Sequence, residues 1–168
     1  MSGAAGKDPA KIALRPMLAA DGPVLAALFR AAIAELTGED YDEEQQEAWI
    51  AAADDEDAFA ARLAGLLTVV ALSEGEPVGF VSLKGDEHIE FLYVRPDAAG
   101  TGVGAALAGA VEALAKARGK RALTVDASDT ALGFFQHRGY EAQRRNMVPR
   151  ADTWLGNTSM KKTLGEGR

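Results

Sequence analysis

Two short stretches of this 168-residue chain carry residue types that can do chemistry at spacings that could use them. The first is Glu87-His88-Ile89-Glu90-Phe91-Leu92-Tyr93-Val94, an apolar run with a histidine and a carboxylate set into it. If it is a strand, the two-residue period puts His88, Glu90 and Leu92 on one face and Ile89, Phe91 and Tyr93 on the other. An imidazole, with an ordinary pKa near ~6.5, can take a proton at neutral pH, and Glu90 could do so directly or through a water. Glu35 and Asp126 are weaker candidates for the same task, more plainly read as surface or capping residues. The second stretch is Gly100-Thr101-Gly102-Val103-Gly104-Ala105, glycines leading straight into an alanine-rich helical pattern. Glycines at the mouth of a helix permit close backbone approach, and the first helical amides have no partner inside the helix. Such a turn suits phosphate oxygens, favoured further by the positive end of the helix dipole.

The elements that must position these residues follow from the pattern around them. Residues 89–94 are rich enough in β-branched and aromatic types for a strand, and Arg95-Pro96 ends it, since proline cannot donate to a ladder. Val103, Leu107, Val111 and Leu114 form one stripe of the helix after the glycines. A second strand spans 122–125, with Ser128 or Asp129 as the cap of a short helix through Ala131, Phe134 and Phe135 that stops at Gly139. Upstream, 12–16 reads as a first strand, followed by an amphipathic helix through Leu25, Leu28, Phe29, Ile33 and Leu36. Helical segments from Asp40 and over 57–64 come next. Residues 66–72 and 78–83 make a hairpin, Gly85-Asp86 the next turn, and 141–150 with 153–162 two final strands. No repeat or linker appears, so the expectation is one domain over 12–164, with tails at 1–11 and 165–168.

The order strand, glycine turn, helix, strand, short aromatic helix resembles the acetyl-CoA-binding core of the GNAT superfamily of N-acyltransferases. The family signature, Q/R-x-x-G-x-G/A, is occupied by Ala99-Gly100-Thr101-Gly102-Val103-Gly104, with Ala99 in place of the Gln or Arg. A later family element, N-x-x-A-x-x-F-Y-x-x-x-G-F, is matched by Ser128, Ala131, Phe134, Phe135, Gly139 and Tyr140. Ser128 stands there for the Asn, and Phe135 for the Tyr that often protonates the leaving thiolate. The stretches DYDEEQQEAW, VDASDTALGFFQHRGY and RRN…LGNTSMKK further resemble the small YafP-like branch of bacterial acetyltransferases.

The resemblance implies an α+β fold in α/β/α layers, with a mixed, mostly antiparallel sheet of about seven strands and about four flanking helices. It implies acetyl-CoA as cosubstrate, a small-molecule or peptide amine as acceptor, and no metal. The diphosphate would lie on the amides from Gly100 to Ala105, the pantetheine arm beside Leu92, Tyr93 and Val94, and Ser128, Phe134 and Phe135 on the other side. His88 falls where many relatives carry a catalytic Glu. Glu35, Tyr41 and Trp49 become candidates for shaping the acceptor pocket. For the proton donor to sulfur, Phe135 has none to give, and Tyr93, Tyr140, Ser128 and a water are the alternatives.

Composition bounds the rest. A net charge of −7 argues against nucleic acid, which needs clustered positive charge. The absence of cysteine removes thiol nucleophiles and disulfides. No run nears the ~18–20 apolar residues of a membrane helix, and the start does not read as a secretory signal, so a bacterial-type cytoplasm is the expected compartment. Acids crowd residues 35–57 without a single Lys or Arg, which as a block reads first as a solvated face and, beside that, would favour a cationic acceptor. Two rivals stand beside the transferase. A Rossmann-type nucleotide site could use Asp126, but five residues separate its strand from the first glycine and too little sheet follows. A non-catalytic acyl-CoA-binding module would also suit Ala99 and Phe135. Homodimerisation through the C-terminal strands, common among relatives, is not visible in the sequence.

Overall fold

The computed structural model describes residues 11–165; the tail residues 1–10 and 166–168 lie outside it. One seven-stranded sheet organises the chain, in the order β1-β2-β3-β4-β5-β7-β6. The strands are β1 (Ile12–Pro16), β2 (Leu67–Ser73), β3 (Glu76–Lys84), β4 (His88–Val94), β5 (Ala122–Ser128), β6 (Glu141–Arg150) and β7 (Thr153–Thr163). All neighbours pair antiparallel except β4 with β5. Among the described residues five α-helices, one more than expected, cover the two faces: α1 (Gly22–Leu36), α2 (Glu43–Ile50), α3 (Glu56–Ala64), α4 (Val103–Ala117) and α5 (Leu132–His137). Among the described residues no helix is long and apolar enough to cross a membrane.

Side-chain pattern explains the layering. The stripe Val103, Leu107, Val111 and Ala115 of α4 is buried against Val78, Val81, Leu123 and Val125, and Phe135 of α5 joins that face. On the other face Leu25, Phe29 and Ile33 of α1 meet Phe59 and Leu63 of α3 over Val70, Phe80 and Phe91. The helix α4 can approach closely because β3 carries Gly79 beneath it: a Cβ there would lie 2.8 Å from Val103 Cγ1 and 3.0 Å from the Tyr93 carbonyl. The acids that precede α2 and α3 work as caps. Asp42 accepts from the Gln45 amide at 2.8 Å, with Gln45 returning a bond to the Asp42 amide, and Asp55 accepts from Ala58 at 3.0 Å. Leu164, beyond the last strand, donates to the Arg121 carbonyl at 2.8 Å and packs on the core.

The strict alternation expected along β4 is interrupted. Phe91 pairs with Ser82 and Ile89 with Leu83, leaving Glu90 as an extra, unpaired residue on the β4 side. This β-bulge re-aims the strand, so Ile89 joins Leu92 and Val94 against the α4 face, while Phe91 and Tyr93 face α1 and α3. Parallel pairing with β5 stops after two positions, His88 with Thr124 and Ile89 with Val125. From Glu90 to Val94, β4 has a strand neighbour on one side only. The sheet is therefore split between β4 and β5.

Candidate active site

The split forms a cleft of about 310 Å³ that reaches both faces of the sheet. Its inner wall is Ile89, Leu92, Val125, Ala127, Ala131 and Phe135, all from the α4 and α5 side. The opposite wall holds the polar and aromatic residues: Trp49, Tyr93, His88, Glu90, Asp126 and Arg150 among them.

His88 and Glu90 meet here although the bulge lies between them and the rest of the strand. His88 Nδ1 is 2.7 Å from Thr124 Oγ1, across the first parallel pair. Thr124 Oγ1 lies 3.4 Å from the Glu87 carbonyl. When the threonine proton points there, Nδ1–H donates to Oγ1 and the other ring nitrogen is left as a bare acceptor. That nitrogen, Nε2, sits 3.8 Å from Glu90 Oε1 and 4.0 Å from Asp126 Oδ2. Glu90 is itself held by Arg62, whose Nη2 donates to Oε2 at 2.5 Å while its guanidinium stacks over Phe91. Asp126 accepts from Ser159 Oγ at 2.7 Å. Among the described residues, His88 Nε2, Glu90 Oε1 and Asp126 Oδ2 are left without a hydrogen bond and face one another.

Ser128 lines the cleft, and its Oγ accepts from the Ala131 amide at 3.1 Å, steadying the turn into α5. Asp129, the other expected cap, turns away to a bidentate pair with Arg145. Phe134 and Phe135 pack edge to face at 5.1 Å, and Phe135 repeats this with Tyr140 at 5.0 Å. Tyr140 lies outside the cleft and donates to Glu112 at 2.9 Å. Burial and the adjacent Glu112 charge push its phenol far above the ordinary range. Tyr93 is half-buried and its hydroxyl takes a bond from Trp49 Nε1 at 3.2 Å; desolvation likewise pushes its phenol far up.

The glycine turn stands at the outer end of this trough rather than in its wall. Gly102 adopts φ +96° as the residue before α4, a conformation that favours glycine, and Gly100 has φ +77° with open space where a side chain would be. The amides of residues 102–105 open α4 and have no carbonyl within the helix to receive them. Thr101 is spent locally, its amide and hydroxyl both on the Ala98 carbonyl. Ala99 is exposed, offering no charged side chain to the turn. A Cβ on Gly104 would touch Phe134 at 3.3 Å and Val94 at 3.8 Å, so the turn abuts the end of β4 two residues beyond Leu92. The open end of α4 and the one-sided edge of β4 thus form one continuous surface. These are the features a diphosphate with a long extended arm requires, and no group of His, Asp and Glu fit to hold a metal occurs among the described residues.

The acceptor-side expectations fare unevenly. Trp49 does line the cleft, stacked edge to face with Tyr41 at 5.2 Å and Tyr93 at 6.4 Å. Tyr41 contributes its ring only. Its hydroxyl donates to the Gly156 carbonyl at 2.6 Å and accepts from the Asp129 amide at 2.8 Å, pinning the loop before α2 to β7 and to the β5–α5 turn. Glu35 is exposed and does not reach the cleft: it lies on the solvent face of α1, away from the Phe29–Ile33 stripe. No acid of the 35–57 block lines the cleft. Asp42 and Asp55 cap helices, Asp40 takes a bond from Thr130, and Glu56 pairs with Arg30 at 2.8 Å. The charge run is a solvated face, which removes the ground for expecting a cationic acceptor. Conversely, Arg62, Arg150, Leu155 and Asn157 line the cleft without having been singled out. They come from α3 and the β6–β7 hairpin, and only the sheet order, with β7 inserted beside β5, brings them in.

The comparisons agree with this geometry. A family model described as an acetyltransferase (GNAT) domain matches residues 37–164. The N-acetyltransferase YafP of Escherichia coli is 32% identical over 150 residues, which is 89% of this chain and 95% of that protein. A crystal structure of a GCN5-related N-acetyltransferase from Rhodopseudomonas palustris superposes with a TM-score of 0.88 at 58% identity, covering 90% of this chain and 94% of that one. The PaiA N-acetyltransferase of Thermoplasma acidophilum, solved in complex with coenzyme A, shares the fold at a TM-score of 0.74 and 17% identity, over 90% of this chain and 98% of its own.

Proposed function

The chain belongs to the GNAT acetyltransferase family, and on that premise we propose that it carries acetyl from acetyl-CoA directly to a primary amine of a small molecule or peptide. The observation that carries this reading is the split between β4 and β5, with His88 on one side and the open end of α4 at its outer end. The coenzyme A complex of the Thermoplasma relative supports the choice of donor. Bound acetyl-CoA supplies an activated thioester; everything else is done by this chain.

The amides of residues 102–105 and the α4 dipole hold the diphosphate. The one-sided backbone of Leu92 and Val94 aligns the pantetheine arm by strand-like pairing, and Phe134 and Phe135 exclude water from its other side. Thr124 fixes the His88 ring so that Nε2 faces the cleft. Nε2 takes a proton from the acceptor ammonium, freeing the lone pair that attacks the acetyl carbon. The imidazolium that results faces Glu90 Oε1 at 3.8 Å and Asp126 Oδ2 at 4.0 Å. As the C–S bond breaks, the second proton of the attacking nitrogen passes through Ser128 Oγ or a cleft water to the sulfur, leaving the neutral amide and the thiol. Tyr93 and Tyr140 are poor donors, because burial makes each phenol a much weaker acid than usual.

A second reading keeps the donor site and drops the chemistry: a module that binds acyl-CoA without transfer, favoured by Phe135 where an acidic hydroxyl could stand. Thiol release separates the two. Mixing the protein with acetyl-CoA and a panel of amines should liberate free CoA at a rate that depends on the amine, with acetylated amine as coproduct. Tight acetyl-CoA binding with no amine accelerating thiol release would leave the binding module.

A further inference from the structure

The cleft carries a charge that the transfer reaction does not use. Two guanidiniums line it, and they differ in one respect. Arg62 is neutralised by Glu90. Arg150 has no carboxylate partner among the described residues; its one bond, 3.0 Å from Nη1, goes to the neighbouring Pro149 carbonyl. Arg150 closes β6 at the hairpin with β7, and Ala151 in the turn is held at φ +51°. In a chain of net charge −7, an unpaired cation in the cleft is not an average property of the surface.

The rest of the cleft says what else such a ligand carries. Asp126 Oδ2 lies 4.0 Å from His88 Nε2, the place for the amine, and Glu90 beside it is paired with Arg62. The rings of Phe29, Trp49 and Tyr93 and the side chain of Leu155 line the same cleft. Resting on the transferase reading above, we infer that the acceptor is an amine that also bears a carboxylate, of amino-acid type with an apolar or aromatic body, and that Arg150 binds the carboxylate. The fork of Arg matches a carboxylate bidentately, which fixes orientation as well as affinity. With the anion anchored at the rim, the amine is delivered to Nε2 of His88 rather than left to tumble in an open cleft.

The test uses L-phenylalanine, its amide and phenethylamine, three amines of one body that differ in the carboxylate. With acetyl-CoA saturating, phenylalanine should exceed both neutral-ended amines in kcat/KM by about tenfold or more, the span expected for a charge-assisted bidentate contact. The difference should sit mainly in KM. In Arg150→Gln the ratio should fall towards one, Arg150→Lys should recover part of it, and Arg150→Glu should reverse it. The KM for acetyl-CoA staying within about twofold in each variant shows that the donor site is still folded. A wild-type preference for phenethylamine or the amide, or a carboxylate preference that survives in Arg150→Gln, overturns the assignment while leaving the transferase standing. Should none of the three amines nor any other primary amine release CoA from bound acetyl-CoA, the transferase reading fails and this inference with it.

Discussion

At the scale of single residues, the account turns on a histidine whose environment was half visible beforehand. His88 and Glu90 could be picked out from a strand pattern, but their division of labour could not. It depends on Arg62, which comes from a helix 28 positions before Glu90 and neutralises that carboxylate. We expect His88→Ala to lower kcat by about a hundredfold, the scale of a lost general base, with acetyl-CoA affinity changed by less than about twofold. Stopped-flow thiol release and a binding titration read the two quantities; wild-type turnover in the variant removes His88 from the mechanism. A second residue-scale test lies away from the cleft. Burial alone would raise the Glu112 carboxyl, but donors from Arg138 at 2.7 Å, Tyr140 at 2.9 Å and Lys162 at 3.2 Å outweigh it and hold its pKa below the ordinary 4.5. A depressed folded-state pKa means that the unfolded chain binds more protons just below pH 4.5. The stability this group confers is therefore complete above that pH and lost as pH falls through the folded value. Glu112→Gln should cost roughly 1–3 kcal/mol at neutral pH and flatten the acid limb of the stability profile, measured by denaturant titration between about pH 6 and 3. An unchanged acid limb would show that the cluster is not coupled to folding.

At the scale of elements, most of the chain was legible because propensity and periodicity agreed with the tertiary outcome. The glycine turn, the α4 stripe and Gly139, at φ +94° after α5, are where the pattern placed them. What could not be read was the bulge at Glu90. A one-residue insertion leaves no mark in a two-residue period except to break it, and it resides in the pairing with β3, not in β4 alone. Yet the bulge bends β4 away from β5 and opens the cleft. The fit of α4 on the sheet is likewise a pair property, set by Gly79 on β3. Gly79→Ala meets Val103 at 2.8 Å, backbone at 3.0 Å and Leu107 at 3.1 Å, contacts with no flexible tip to give way. It should destabilise the fold by about 1–3 kcal/mol and weaken acetyl-CoA binding several-fold, since α4 must shift. Gly133→Ala, on α5 with nothing within 4 Å, is the control and should be neutral or stabilising by up to about 1 kcal/mol in the same thermal denaturation. Equal effects from the two substitutions would contradict the packing argument.

At the scale of the whole molecule, the acidic block is the solvated face that a run of like charge suggests, and the topology keeps it out of the cleft. The expectation of a cationic acceptor rested on sequence proximity to a pocket-forming region. In the fold the caps and the solvent face absorb those charges, and the cleft receives its polar groups from strands far apart in the chain. Function here is assembled where a parallel pair fails in an otherwise antiparallel sheet. The structure of the protein crystallised with coenzyme A tests this most directly. The account predicts diphosphate oxygens within hydrogen-bond distance of the amides of residues 102–105, the pantetheine arm along Leu92 and Val94, and the sulfur in the split facing His88. A coenzyme A whose diphosphate lies away from the start of α4, or whose sulfur does not enter the gap between β4 and β5, would contradict it.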